Sequence, residues 1–383
     1  MDTTANVPVF IQKNTFFERV YKKLLHLFRL SNDPVVKVYH GYGSATNVVV
    51  FGHVFDLSPL SRKRYRKNFW TNTFALLRSF MVSRVPNARV RLRWNDVVLE
   101  TVTAKDGFFR FEWNPVTPVS PGIYKAQVDY LLPGVENLVI ASGEGTIIIP
   151  YVNQYAFISD IDDTFLISHS SNLRKRLYVL FTKNAHSRKP FEGVVNHYQL
   201  LASAFAPQNQ PNPFFYVSSS EWNLYDFIKE FCRKNAMPEG VFLLSQIKRL
   251  SEVWKTGATK HSTKFMRIAR IMEAYPKQKF ILLGDDSQQD PVIYAGIVEH
   301  FPGRIVNVYL RHVYEKNVDN VRELIKKMES LGVKCCHFAT SKEAIEHSYL
   351  TGLIPKDEKM IQAKEESRQR DLIKETANKK ATL

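Results

Sequence analysis

The sequence predicts a two-part α/β protein: a small antiparallel β-sandwich over residues 35–150, followed by a parallel sheet covered by helices over residues 151–352. Three observations predict it. The 383 residues exceed the ~100–200 of one ordinary domain, so two domains, each burying its own core, are expected. Before Pro150 the chain is built of short β-branched and aromatic runs separated by turn residues. After Pro150 strand and helix patterns alternate, which implies a parallel sheet with both faces covered.

Residues 1–34 read as an N-terminal amphipathic helix. Phe16, Phe17, Val20, Tyr21, Leu24, Leu25 and Phe28 share one helical face, and Arg19, Lys22, Lys23, His26 and Arg29 lie elsewhere. Such a stripe suits a membrane interface, and it equally suits packing on the chain's own core. Asn32-Asp33-Pro34 ends the helix, because the residue before a proline is pushed out of the α region. In the β-rich part, Arg89, Arg91 and Arg93 alternate with Val90, Leu92 and Trp94 as on a half-buried strand, and Lys105-Asp106-Gly107 supplies a hairpin turn. The basic cluster Arg62, Lys63, Arg64, Arg66 and Lys67, followed by an apolar helix-like stretch from Phe74 to Met81, reads as a solvated loop or as a docking patch for anionic lipid.

Beyond residue 150, strands are expected at 155–159, 214–217, 241–244, 279–283, 304–310 and 333–338. The clearest helix carries Val318, Val321, Leu324, Ile325, Met328 and Leu331. A charged tail, 353–383, closes the chain as a solvated helix or disordered segment.

Composition narrows the function. No window holds the ~18 consecutive apolar residues of a spanning helix, and the N-terminus lacks the pattern of a secretory signal. Cys232, Cys335 and Cys336 offer neither a disulfide framework nor a zinc motif, so buried thiols in a reducing, cytoplasmic setting are expected. The 53 Lys+Arg against 37 Asp+Glu give a net charge of +16, which favours phosphate-bearing partners. Nucleic acid is disfavoured, since no stacking-rich RNA motif or helix-turn-helix signature is present.

The chemistry concentrates at strand ends, where parallel sheets place their sites. The first strand of the second part runs into Asp160-Ile161-Asp162-Asp163-Thr164, and residues two apart on an extended segment face one centre. Two carboxylates there repel unless a cation or a proton lies between them. An EF-hand is excluded: counting from Asp160, the sixth position is Phe165 instead of glycine, and the twelfth is Ser171 instead of glutamate. Helix capping explains one acid, hardly three. The strand at 279–283 ends in Gly284-Asp285-Asp286-Ser287-Gln288-Gln289-Asp290, an acidic loop whose oxygen-only donors favour magnesium over zinc. Ser218-Ser219-Ser220 ends another strand where a helix begins, suited to phosphate oxygens, although a serine cluster is also an ordinary cap. Lys260 and Lys264 precede a helix and offer an ammonium group to a phosphoryl group or to the aspartate attacking it.

This ordered set, DIDDT, a serine at a strand end, a lysine and GDxxxxD, resembles the haloacid dehalogenase superfamily of phosphoaspartate-forming phosphatases. FISDIDDTFLIS, NAHSRKPFEGVVNHY, PFFYVSSSEWNLYDF and YPKQKFILLGDDSQQDPVIYAGIVEHFPGRIVNVYLR further resemble the catalytic domain of the magnesium-dependent phosphatidate phosphatase family of the yeast actin-patch type, over roughly residues 150–315. The upstream β-rich region resembles the N-terminal part common in that family. The resemblance implies a haloacid dehalogenase-like Rossmannoid sheet, with Asp160 as nucleophile, Asp162 as general acid and base, and Ser218 and Lys264 gripping the phosphoryl group. It implies Mg²⁺ held by Asp160, Asp162 through its carbonyl, and Asp285, with Asp290 supporting that shell. Relatives read GDSGQ where this chain has GDDSQ, which bears on the metal geometry.

An insertion at 165–213 is expected to cap the site. Between Thr164 and Phe191 it contains no acidic residue, and Arg174, Lys175, Arg176, Lys183, Arg188 and Lys189 are interleaved with apolar side chains. A basic, apolar cap suits a phosphate on greasy chains, so phosphatidate at an anionic membrane surface is the leading substrate and peripheral attachment the expected mode. A soluble phosphorylated metabolite is the alternative substrate. A non-catalytic adaptor for anionic membranes is the alternative class, which the intact acids speak against.

Overall fold

The computed structural model describes residues 30–31, 33–59, 83–132, 134–135, 137–161, 193–207, 210–245, 260–286, 289–313 and 318–355. The basic cluster 62–67, the stretch 74–81, residues 162–192 and the tail beyond 355 lie outside them, as does the N-terminal helix expected before residue 30.

The β-rich part contains β1 (Leu30–Ser31), β2 (Val35–Val38), β3 (Gly41–Gly43), β4 (Val48–Pro59), β5 (Ser83–Arg84), β6 (Arg89–Trp94), β7 (Val97–Val102), β8 (Phe108–Trp113), β9 (Gly122–Leu131) and β10 (Val139–Ile149). They pair in the order β1-β4-β3-β10-β9-β6-β7, with β2, β5 and β8 also on β4. The pairing is antiparallel except where β3 runs parallel to β10, a departure from the wholly antiparallel expectation. Leu30 and Ser31, placed in the helix by the sequence pattern, instead pair with Pro59 and Ser58.

The α/β part contains β11 (Tyr155–Asp160), α1 (Val194–Ser203), β12 (Phe214–Glu221), α2 (Tyr225–Lys234), β13 (Gly240–Ser245), α3 (Lys260–Ala274), β14 (Lys279–Asp285), α4 (Asp290–His300), β15 (Ile305–Arg311), α5 (Val318–Ser330), β16 (Lys334–Phe338) and α6 (Ser341–Leu350). All six strands expected from the sequence are present. Their order is β13-β12-β11-β14-β15-β16, with parallel pairing throughout. Consecutive residues of β11, β12 and β14 are buried, so this sheet is covered on both faces. The strand order reverses between β11 and β14, and in open parallel sheets ligands bind beyond the carboxyl ends of the strands at that reversal.

Two expectations are corrected by packing. The β-rich part keeps a core of its own, but it is not independent of the α/β part, because its other face is buried there. Along β4, Val48, Val50 and Val54 enter the core of the β-rich part. Val49, Phe51 and Phe55 point the other way, into one core shared with the α/β part. Tyr39 stacks on Trp222 with ring centroids 4.3 Å apart, and the Gly43 N–H donates to the Tyr275 hydroxyl at 3.1 Å. The second correction concerns the expected cap. Its end, α1, buries Val194, His197, Tyr198 and Leu201, and the Tyr198 hydroxyl hydrogen-bonds Ser159 Oγ at 2.9 Å. Leu353 and Ile354, counted with the tail, are likewise core residues. Cys232, Cys335 and Cys336 are free thiols whose pKa values burial pushes up to about 12.

His53 and His197 are buried, and desolvation drops each pKa to about 3. Both stay neutral in the folded state while the unfolded chain takes up a proton below its ordinary value near ~6.5. Each therefore contributes stability present above that value and lost as pH falls toward 3. His197→Gln is expected to flatten the pH dependence of the urea-unfolding free energy between pH 6 and 4 by up to about 1.4 kcal/mol per pH unit. An unchanged slope would remove His197 from the acid response.

Candidate active site

Two adjacent strand ends supply the acids. Asp160 is the last residue of β11 and Asp285 the last of β14, and these strands pair through Ser159 and Leu283. Asp290 opens α4, whose first turn includes Pro291, a residue tolerated there because its missing N–H would be unpaired anyway. All three carboxylates are at most 2% exposed, and one oxygen from each lies within 4.8 Å of the others.

Their hydrogen-bonded cation is Lys264 on α3. Its Nζ donates to Asp160 Oδ1 at 2.7 Å and to Asp290 Oδ1. Burial by itself lowers the Lys264 pKa, but the carboxylates of Asp160 and Asp290 overrule it and hold the ammonium above its ordinary value. Lys264, the lysine the resemblance implies, thus occupies the centre. Arg311, in register with Asp285 on β15, is buried and anchored to Ser341 Oγ at 2.8 Å.

Ser218 is fully buried one residue past Val217, which pairs with Asp160. Its Oγ accepts the Ser220 N–H at 2.9 Å, and its carbonyl accepts from Arg267 at 2.7 Å, which fixes the irregular stretch of β12 between Val217 and Glu221. Asp160, Lys264, Asp285 and Asp290 are therefore gathered at the strand-order reversal, and Ser218 lies on the adjacent strand one residue beyond the position paired with Asp160. Asp162 lies outside the described residues.

The donor set suits a hard divalent cation. Three buried carboxylates outnumber the one lysine between them, and Asp290 Oδ2 is buried with no hydrogen-bond partner among the described residues. Gly284 makes room for this arrangement: a Cβ there would lie 2.5 Å from Asp290 Oδ2 and 2.8 Å from the Tyr294 hydroxyl. Tyr294 in turn donates to the Leu283 carbonyl at 2.9 Å, bracing the strand end beneath the acids. The sequence pattern singles out the glycine as a turn residue; its role in clearing space for Asp290 appears only when α4 folds back on β14.

A parallel sheet with buried carboxylates and a buried lysine at its strand-order reversal defines an α/β protein with an acidic strand-end centre. Residues 155–312 match the family described as phosphatidate phosphatase APP1, catalytic domain, which covers both acidic strand ends. That segment belongs to the APP1-type phosphatidate phosphatase family. The chain is 30% identical over 165 residues to phosphatidate phosphatase APP1 of Saccharomyces cerevisiae, covering 42% of this chain and 27% of that protein. It is 24% identical over 193 residues to an uncharacterized Schizosaccharomyces pombe protein, covering 49% of this chain and 30% of the other. The chain thus spans under a third of the length of these curated relatives. A Xanthomonas citri carbohydrate acetylesterase structure aligns over 80% of this chain and 70% of its own at 10% identity, with a TM-score of 0.30, too low to bear on fold or activity.

Lys264→Met leaves the buried carboxylates without their hydrogen-bonded cation. An expected loss of about 3–5 kcal/mol follows in urea unfolding with EDTA present, the cost of breaking a buried ion pair from one side. Magnesium should restore part of that loss; a variant as stable as the parent in EDTA would show that the acids are not charged together.

Proposed function

We propose that the chain is a magnesium-dependent phosphatidate phosphatase that works through an aspartyl phosphate. In this reading the six-stranded sheet is haloacid dehalogenase-like. The β-rich part is a small sandwich, a view supported by one core fed from β6 and β8, strands that do not pair with each other. The observation that carries the functional reading is Lys264 bridging Asp160 and Asp290 beside Asp285 at the strand-order reversal, within the segment matching the APP1-type catalytic family.

Asp160 is the nucleophile. Its carboxylate is held by the Lys264 ammonium, which fixes its direction and stands ready to bind phosphoryl oxygens. A carboxylate oxygen bonds to phosphorus as the bond from phosphorus to the leaving glycerol oxygen breaks. Asp162 gives its proton to that oxygen and diacylglycerol departs. Asp162, now ionised, takes a proton from water, whose oxygen attacks phosphorus and releases phosphate with Asp160 regenerated. Ser218 and Lys264 grip the phosphoryl oxygens through both steps. Asp160, Asp285 and the Asp162 carbonyl would hold Mg²⁺, with Asp290 in support, and the ion would offset charge on the phosphoryl group.

Support for a lipid substrate comes from the sequence: the basic, apolar segment after Thr164, the amphipathic stretch 15–30 and the net charge of +16. No helix among the described residues is long and apolar enough to cross a membrane; in this reading the amphipathic stretch attaches the chain peripherally, at a cytoplasmic face. The smaller reach of a phosphatase for soluble phosphate esters is the second reading, since the chemistry at Asp160 is the same for both.

Phosphate release from phosphatidate liposomes and from a panel of soluble phosphate esters, each with magnesium or EDTA, tests the proposal. Phosphatidate is expected to be the preferred substrate and EDTA to abolish turnover. Asp160→Asn should fold normally and lose at least ~10³-fold in rate, as expected when a covalent nucleophile is removed. Better turnover of soluble esters would overturn the lipid assignment, and magnesium-dependent turnover by the Asn variant would overturn the nucleophile.

A further inference from the structure

We propose that Asp286, His312 and His337 form a second cation site, separate from the acidic centre and selective for a zinc-class divalent ion. The side chains come from three consecutive strand ends. Asp286 follows the last residue of β14, and its N–H donates to the Arg311 carbonyl at 3.0 Å, extending the ladder one step. Alternation along that extension puts the two side chains on opposite faces, and Asp285 groups with Asp160 and Asp290 whereas Asp286 groups with the two histidines. His312 follows the last residue of β15, where its N–H donates to the Phe338 carbonyl at 2.7 Å, and His337 lies on β16 opposite Leu310.

The donor atoms already converge. Asp286 Oδ2 lies 2.6 Å from His312 Nδ1 and 3.0 Å from His337 Nε2, and the three donor atoms lie within 4.8 Å of one another. The two rings meet edge to face, with centroids 5.2 Å apart, so each presents a nitrogen to the same carboxylate oxygen. A tetrahedral ion with bonds of roughly 2.0–2.1 Å separates its donors by about 3.3 Å, so an ion enters after the cluster opens by under about 1 Å. Asp286 Oδ1 accepts the Val313 N–H at 2.7 Å. That bond orients the carboxylate from outside, as partners of metal-ligating groups do, and leaves Oδ2 facing the imidazoles.

Access and chemistry agree with this geometry. The Asp286 side chain is fully buried, whereas those of His312 and His337 are 31% and 23% exposed, giving an ion a route from solvent on the histidine side. Two imidazoles and one carboxylate favour zinc and its late first-row neighbours, in contrast to the all-oxygen set of Asp160, Asp285 and Asp290, which favours magnesium. Three protein donors among the described residues leave room for water on the ion. Occupancy would tie the ends of β14, β15 and β16 together one residue from Asp285.

The test uses the full chain, stripped with EDTA and then held in millimolar magnesium to satisfy the acidic centre. Titration with Co²⁺ is expected to give one equivalent of bound ion with visible d–d absorption, displaced by Zn²⁺. His337→Gln keeps an N–H donor for Asp286 while removing the imidazole, and His312→Asn does the same on the other side. Each should weaken Co²⁺ binding at least tenfold with an unchanged circular dichroism spectrum in EDTA. In the unsubstituted protein, one equivalent of Zn²⁺ should shift the ring ¹⁵N resonances of two histidines. Absence of a bound equivalent, Co²⁺ affinity unchanged by both substitutions, or ring resonances that ignore Zn²⁺ would reduce the cluster to hydrogen bonds and overturn the proposal.

Discussion

The α/β half is organised around one electrostatic constraint: three buried carboxylates, two at neighbouring strand ends and one at a helix start, with a buried ammonium bridging Asp160 and Asp290. Asp160, Asp285 and Asp290 are almost fully buried within reach of one another, and burial of like charges is tolerated only where opposite charge is built in. Lys264 supplies it from α3, which fixes that helix relative to β11 and α4. Gly284, Tyr294 and Pro291 then follow as geometric consequences, because α4 must start close enough to β14 for Asp290 to reach the same lysine.

The sheet that carries these strand ends is stiffened from outside by the β-rich part. Strand β4 has no solvent face over Val48–Phe55, one row of side chains entering its own core and the other entering the core of the α/β half. Side chains at the seam are polar as well as aromatic. His40 Nδ1–H donates to the Gly240 carbonyl at 3.2 Å while its Nε2 accepts from Lys229 at 2.9 Å, the roles of a neutral imidazole. Burial, followed by the nearby Lys229 charge, lowers its pKa and keeps it so. The apolar run VVVF is therefore a doubly covered strand, which two independently cored domains would not require.

Strand-end chemistry in the described structure divides by donor type. At the end of β14, Asp285 joins an oxygen-only set and the next residue, Asp286, joins two imidazoles. A parallel sheet permits this because its strands all end on one edge, so adjacent residues of one strand feed different centres on that edge.

The sequence by itself determined the alternation of strands and helices after residue 150, the strand-end position of Asp160 and Asp285, and the pairing of a lysine with the acids. Each is local: hydrophobic periodicity sets the element, and a glycine or a charged residue marks its end. That Gly284 clears Asp290, that β4 is covered on both faces, and that the helix at 194–203 is core were decided only by tertiary structure. So was the meeting of Asp286 with His312 and His337, for which no spacing in the sequence gives a signal. These depend on strand order and helix docking, which bring together residues far apart along the chain through packing that no single segment encodes.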